Sequence, residues 1–200
     1  MPALQGSPKG LCAHMVITDL SSLQTAFRQK RKLKFLMFWG HTPKQPGMVD
    51  QSSLSQWFSA PFDIGGIRYA TAEHYMMVQK ALLFGNKEIA DKIICSTSPG
   101  KAKALGRKVT GFDETIWREN RFRLVCAANL AKFSQHSDLR RFLLRTGSKI
   151  LVEASPYDNV WGIGMAADHP YADNPLKWQG INLLGFALMS VRRQLQQQAA

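Results

Sequence analysis

Two patterns of apolar residues divide the chain. Some segments have apolar residues every three or four positions, which is typical of amphipathic helices, and shorter ones are apolar throughout, as buried strands are. Helices are predicted over residues 19–31, 72–84, 87–95, 99–108, 114–134, 137–146 and 183–197.

Short strands are predicted between the helices. KFLMFW (34–39) and KILVEAS (149–155) are continuously apolar in their centres, and residues 60–70 read as a hairpin around Gly65-Gly66. Loops are predicted where Pro, Gly, Ser and Asp accumulate, over residues 41–53 and 156–180.

Polar residues with short side chains mark where several helices begin, because such side chains accept hydrogen bonds from the first free amides. Thr71 and Asp113 each precede a helical segment, and Ser137 or Asp138 starts another. Asn182 is predicted to cap the last helix in the same way. The whole pattern predicts an α+β protein, a single compact, mainly helical domain with a few short strands.

Length and composition limit the class of protein. A chain of 200 residues with 45% hydrophobic and 20% charged residues suits one globular domain. The net charge of +12 is unusual and favours anionic partners such as phosphates or nucleic acid. Three cysteines without CxxC spacing fit a reducing cytoplasm better than a disulfide scaffold or a zinc site. No apolar run is long enough to span a membrane, so no membrane partner is expected.

The helix predicted after Thr71 carries charges where a core helix would carry leucine. At about 100° per residue, Glu73, Met77, Lys80 and Phe84 fall on one stripe. An acid and a lysine on one stripe can line a site. The structural alternative is that Glu73 satisfies first-turn amides while Lys80 extends its ammonium group to water.

A second candidate is the loop SPYDNVWGIGM (155–165). Asp158 lies in it between aromatic residues, and Trp161 offers a flat face to a nucleobase. Gly162 and Gly164 permit positive φ and a close approach of the backbone to a ligand. The alternatives are that Trp161 covers the core and that Asp158 only caps a turn.

Further binding candidates are aromatic or basic. Trp117 and Tyr75 add rings on which a base can stack, although most tryptophans belong to cores. In GKAKALGRK (100–108), Arg107 can hold a phosphate, although a solvated face is the commoner role of a basic helix. The chain has no Walker loop, and its histidines and cysteines lack metal-ligand spacing, so neither a metal nor a cofactor is predicted.

Several of these segments, taken in order, resemble the NADAR family, also called the YbiA-like family. The matching blocks are EHYxxxQK, LVEASxxDxxWGxG and NxLG, with SPGKAKALGR and WRENRF between them. The resemblance implies a YbiA-like domain over residues 33–197, preceded by a partly helical N-terminal extension over residues 1–32.

The resemblance also implies an enzyme, a hydrolase that acts on N-glycosyl bonds. Family members of the riboflavin pathway cleave ribosylamino-pyrimidine phosphates, and others remove ADP-ribose from guanine in nucleic acid. Carried over position by position, Glu73, Lys80 and Asp158 are the expected catalytic residues. By the same matching, Trp117 and Trp161 are the expected substrate-binding residues.

Three functions therefore remain open. The first is cleavage of early riboflavin intermediates, phosphorylated small-molecule N-glycosides, to the base and ribose 5-phosphate. The second is removal of ADP-ribose from nucleic acid, which the positive charge favours. The third, a non-catalytic module for ADP-ribose or an NAD-like ligand, is disfavoured by the acid–lysine stripe. The oligomeric state is left open.

Two chemical routes fit the resemblance equally. Lys80 can form an imine with ribose C1 and displace the base amine, with Glu73 relaying protons. Alternatively, Glu73 or Asp158 activates a water molecule against an oxocarbenium-like C1.

Overall fold

The structure, a computed structural model, describes residues 16–198. In this part of the chain the helices are α1 (Leu20–Arg28), α2 (Ala72–Leu83), α3 (Lys87–Ile94), α4 (Pro99–Gly106), α5 (Glu114–Gln135), α6 (Ser137–Arg145) and α7 (Leu183–Gln197). The strands are β1 (Phe35–Phe38), β2 (Phe62–Ile64), β3 (Ile67–Tyr69) and β4 (Ile150–Glu153). The predicted α+β class, mainly helical with short strands, is confirmed.

The four strands form two small sheets. β1 and β4 are parallel, with Phe38 opposite Glu153, so both strands end at the same edge. β2 and β3 form the predicted hairpin, and its two turn residues, Gly65 and Gly66, both have positive φ. Such a turn needs positive φ at both positions, and glycine adopts it without strain.

The helices α2 and α5 position most of the site. α2 packs against α3, α4 and α5, and most of its residues are buried. α5 packs in turn against α7, which also covers β4. The residues between β4 and α7 contain turns and bends but no helix or strand, as predicted for 156–180.

Helix α1 shares the core with the rest of the domain. Leu23 and Ala26 are fully buried among the core residues, and the Gln24 amide donates to the Pro175 carbonyl at 3.0 Å. The segment predicted as an N-terminal extension, residues 1–32, contains α1, and its residues 1–15 lie outside the described residues.

The capping predictions hold at α2 and α5 and fail at α6 and α7. At α6 the helix begins at Ser137, but the cap position is His136, which makes no side-chain capping bond. Thr71 and Asp113 accept backbone hydrogen bonds at the starts of α2 and α5, as predicted. Asn182 does not cap α7: its backbone is left-handed, with φ 53°, and its side chain makes no capping bond. Instead the side-chain amide accepts from Glu153 N–H and donates to the Leu151 carbonyl, each at 2.9 Å. Asn182 thus fastens the start of α7 to the edge of β4.

Across residues 16–198, none of the helices combines the length and apolar character that crossing a membrane requires.

Candidate active site

Most of the candidate catalytic and binding side chains line one cavity. Its volume is about 390 Å³, which is within the size range of ligand sites. It lies between α2, α4, α5, the segment 55–57 and the loop after β4. The sequence-predicted residues that line it are Glu73, Lys80, Arg107, Trp117, Asp158 and Trp161.

The first turn of α2 carries Glu73 into the cavity. The Thr71 hydroxyl accepts a hydrogen bond from His74 N–H, which fixes the start of the helix. The backbone N–H of Glu73 donates to the Gln56 carbonyl at 3.0 Å, so the helix start is tied to segment 55–57. Met77, one turn later, and Lys80, two turns later, line the same cavity, as the predicted stripe requires.

The Glu73 carboxyl group is buried, with 3% of the residue exposed. Burial raises its pKa to about 7, against the opposing charge of Lys103 and a hydrogen bond from the Trp57 side chain. Its Oε1 is buried without a hydrogen-bond partner among the described residues. A carboxyl that titrates near neutrality, with a free oxygen in a cavity, can either give or take a proton.

Lys80 reaches the cavity from the last turn of α2 and is half-buried. Its Nζ lies 4.3 Å from the ring centroid of Phe112 and 5.9 Å from that of Trp117. Burial lowers the pKa of Lys80, and the charge of Glu114 opposes this shift. The lowered pKa increases the fraction of neutral amine, which is the nucleophilic form.

The first two turns of α5 supply an aromatic and a basic side chain. Trp117 and Arg121 are one turn apart, both nearly buried, and both line the cavity. Arg121 also contacts Glu114, at 3.4 Å, and that carboxylate is mostly exposed. Trp117 therefore presents an indole beside the Lys80 amine, with a guanidinium close by.

Helix α4 brings two further cations. Lys103 and Arg107 line the cavity, and Lys103 Nζ lies 5.9 Å from the ring centroid of Trp57, another lining residue. Gly106 lets α4 approach α2 closely, because a Cβ at this position would overlap the side chain of Met77. Two of the basic residues predicted on this helix, Lys103 and Arg107, therefore lie at the cavity instead of on a solvated face.

The loop after β4 holds Asp158 in a fixed position. Its Oδ1 accepts from the backbone N–H groups of Val160 and Trp161, at 2.9 and 2.7 Å. The turn-capping alternative is therefore present in the structure, yet Asp158 also lines the cavity. One carboxylate oxygen shapes the loop while the side chain contributes negative charge to the cavity wall.

The two glycines of this loop support its shape. A Cβ on Gly162 would lie 2.8 Å from the Glu153 carbonyl oxygen and 3.0 Å from that of Asp158. Gly164 has φ +68°, and a Cβ there would press on Asn159. Neither glycine lines the cavity, so the close backbone approach that they permit is to the protein itself and not to a ligand.

Tyr75 does not reach the cavity. It is two residues after Glu73, so its side chain points to another face of α2. There it is buried, with ring centroids 5.0 Å from Tyr69 and 6.4 Å from Phe62. The substrate-binding role predicted for Tyr75 is therefore replaced by a role in an aromatic core cluster.

Several lining residues were not predicted from the sequence as parts of this site. Glu153 belongs to the LVEAS block, but its place at a strand end gave no sign of an inward carboxyl group. Lys103 is one turn before Arg107, and Arg121 one turn after Trp117, so helical spacing from the predicted residues would have found both. Trp57, like Trp117 and Trp161, is a stacking candidate by its residue type, but only long-range packing brings it to the cavity.

Segment 55–57 is held from behind by α5. The fully buried Lys132 donates to the carbonyls of Ser53 and Ser55 at 2.7 and 2.9 Å, and Asn129 donates to the Gln56 side chain at 2.7 Å. Burial lowers the pKa of Lys132 to about 7. Lys132 therefore supports the cavity wall from behind and does not itself line the cavity.

The described part of the chain brings together no group of three His, Cys, Asp or Glu side chains that could hold a metal ion.

The fold and the cavity define the class of protein: a small α+β enzyme with acid–base groups, cations and stacking rings in one cavity. The profile of the NADAR domain matches residues 37–196, and the chain belongs to the NADAR family.

Known proteins resemble the chain in sequence and in structure. N-glycosidase R617 of Acanthamoeba polyphaga mimivirus is 43% identical over 169 residues, which cover 82% of this chain and 98% of that protein. Riboflavin biosynthesis protein PYRR, chloroplastic, of Zea mays is 31% identical over 134 residues, 64% of this chain and 20% of that protein. The NMR structure of the E. coli protein YbiA matches with a TM-score of 0.65 and 27% identity, over 83% of this chain and 87% of that chain.

These matches confirm the expected family and fold. Several relatives are named N-glycosidases, so the prediction of a hydrolase of N-glycosyl bonds is confirmed at the level of the family.

Proposed function

We propose that the protein hydrolyses the N-glycosidic bond of ribosylamino-pyrimidine phosphates and releases the base and ribose 5-phosphate. The observation that carries the proposal is the pairing of a buried glutamate and a half-buried lysine, Glu73 and Lys80, on one wall of one cavity. The name of the maize relative, a riboflavin biosynthesis protein, supports this choice of substrate.

The charges and rings of the cavity suit such a substrate. Lys103, Arg107 and Arg121 provide cations for a phosphate group, and Arg107 was the candidate from the sequence. Trp117 and Trp161 provide faces on which a pyrimidine can stack. Asp158, held by two backbone amides, is suited to orient the ribose hydroxyl groups.

The bond to be cleaved joins ribose C1 to an exocyclic amine, so the sugar can open to an imine. In the route that we propose, the neutral Lys80 amine adds to C1, and the base amine leaves with a proton. Water then adds to the lysine imine, which releases the sugar aldehyde and restores the free amine. Glu73 carries protons between these groups.

The other route has no covalent intermediate. Glu73 or Asp158 takes a proton from water as the oxygen bonds to C1, while the base amine leaves with a proton from an acid of the site. Trapping of the intermediate separates the two routes, because only the first contains a reducible bond to the protein.

A second candidate is removal of ADP-ribose from guanine in nucleic acid. The net charge of +12 favours it, because a phosphate backbone attracts such a surface. The first experiment is therefore incubation of the protein with both substrate types, with chromatography of the released base. Release from the small phosphorylated substrate, faster in wild type than in Lys80→Arg, supports the proposal, and release from ADP-ribosylated nucleic acid alone refutes it.

A further inference from the structure

We infer that Glu153 is a second catalytic carboxyl group of this cavity, and that it holds one proton in common with Glu73. The pair gives a proton to the departing amine and takes one from the attacking water. The catalytic part of this inference rests on the proposed N-glycosidase function, whereas the shared proton is a property of the protein without substrate.

Glu153 is fixed by its backbone at the last position of β4. Its N–H donates to the Asn182 side chain at 2.9 Å, and its carbonyl accepts from Ile163 N–H at 3.0 Å. In the parallel sheet it stands opposite Phe38. These bonds fix the main chain from which the side chain extends, and the residue lines the same cavity as Glu73.

In the part of the chain that the structure describes, each of the two carboxyl groups has one unpaired oxygen atom. Glu153 Oε2 and Glu73 Oε1 are buried without a hydrogen-bond partner among the described residues. A buried ionised oxygen without a partner is costly, and two such groups in one cavity repel each other when both are ionised. A proton held between the two groups, or a substrate that contacts both, removes most of this cost.

The charges around the pair agree with one shared proton. Burial, then the charges of Asp158 and Glu73, raise the pKa of Glu153 to about 8, and Lys103 opposes this. Burial raises the pKa of Glu73 to about 7, with Lys103 and Arg107 opposing and Asp158 assisting. When Glu73 is ionised, its charge helps to retain the proton on Glu153.

The pair can serve the whole reaction without a proton from solution. One carboxyl group protonates the base amine as its bond to C1 breaks and the imine between C1 and Lys80 forms. The other, as carboxylate, takes a proton from the water that then adds to C1 of this imine. The adduct breaks up to the sugar aldehyde and the free lysine amine, the hydroxyl proton passing to the amine, and the pair again holds one proton.

The shared proton is tested by melting curves without substrate. A carboxyl group with a raised pKa stabilises the folded state below its unfolded pKa of about 4.5, and this stability is lost as the pH rises through about 7 to 8. We expect Glu153→Gln and Glu73→Gln each to raise the melting temperature relative to wild type by about 3 °C or more above pH ~8, with a smaller difference near pH ~5.

Two controls sharpen the melting experiment. The double variant should gain less than the sum of the single variants, because each single variant already removes the repulsion between the two charges. Glu119→Gln, which changes an exposed carboxylate of α5, should show no such pH dependence. Melting differences for Glu153→Gln that do not vary with pH, or that simply add to those of Glu73→Gln, would overturn the shared proton.

The catalytic role is tested by the kinetics of Glu153→Gln. We expect kcat to fall by about a hundredfold or more with little change in KM, and the alkaline limb of the kcat/KM profile to disappear. Wild-type turnover with an unchanged pH profile in this variant would leave Glu153 without a catalytic role. A wild-type protein that cleaves no N-glycoside would overturn the proposed function and this role with it, while the melting curves would still decide the shared proton.

Discussion

Burial shifts the pKa values of Glu73 and Lys80 in opposite directions. It raises that of the carboxyl group to about 7 and lowers that of the amine, so both groups spend more time uncharged than they would in water. A neutral amine is a nucleophile, and a carboxyl group near neutrality transfers protons in either direction. The same removal from water therefore prepares both partners of the proposed reaction.

We predict that Glu73→Gln keeps the fold and loses activity by about a hundredfold or more, because an amide of the same size cannot transfer a proton. Circular dichroism and turnover are compared with those of wild type and of Glu119→Gln. Full turnover in Glu73→Gln would return this residue to the role of a buried helix-end carboxyl group.

We predict that Trp161→Ala weakens substrate binding by about 1–3 kcal/mol, the range of base stacking on an aromatic side chain. Trp161 lines the cavity and also packs against the core, so some loss of melting temperature is expected. The control is Trp178→Ala, which removes a half-buried indole outside the cavity wall. If both variants melt earlier but bind substrate as wild type does, Trp161 is a core residue alone.

At the scale of elements, the site depends on how α7 and β4 are joined. Gly185, in the first turn of α7, faces β4, and a Cβ there would overlap the Leu151 carbonyl oxygen and crowd the Asn182 amide. The Asn182 amide in turn holds the backbone of Glu153. The contact between helix and strand therefore determines where the strand-end carboxyl group lies.

We predict that Gly185→Ala lowers the free energy of unfolding by about 1–3 kcal/mol, as overpacking of a well-packed interface does. Gly100→Ala is the matched control, because it is also helical and its Cβ would make only ordinary contact, at 3.7 Å, with Trp57. The control should be neutral or slightly stabilising. Equal stability of the two variants in urea titrations would show that α7 moves away from β4 without cost.

The elements were largely predictable from local sequence, because their signals are local. Thr71 and Asp113 indicate where helices begin, and Gly65-Gly66 indicates a hairpin turn. The prediction for Asn182 is wrong because its position before a helix resembles that of a cap, while its side-chain partners are 29 and 31 residues away in β4. No local pattern contains that information.

The site residues were predictable from helical spacing on α2 and from the family blocks, which include the loop residues Asp158 and Trp161. Glu73 and Lys80 are two turns apart on α2, so helical spacing predicts both, whereas Tyr75, two residues after Glu73, falls on another face of the helix. Trp57 and Glu153 come from a loop and a strand end, and only tertiary packing brings them to the same cavity.

At the scale of the whole molecule, the net charge of +12 bears on the choice of substrate. We predict that the affinity for the substrate falls only gently with salt concentration, because a small phosphate displaces few counterions. The measurement is KM, or a dissociation constant, over a series of salt concentrations. A steep loss, with a slope that corresponds to several phosphate contacts, would favour nucleic acid instead.

The central claim is that Lys80 and Glu73 act together on ribose C1, with Lys80 as the nucleophile. The direct test is borohydride reduction during turnover, followed by peptide mass spectrometry, because an imine between lysine and sugar is reducible. The account predicts a sugar phosphate on Lys80 in wild type, and neither adduct nor activity in Lys80→Arg, whose guanidinium keeps the charge without a neutral amine. An active Lys80→Arg protein would contradict the account and leave a carboxylate-activated water as the nucleophile.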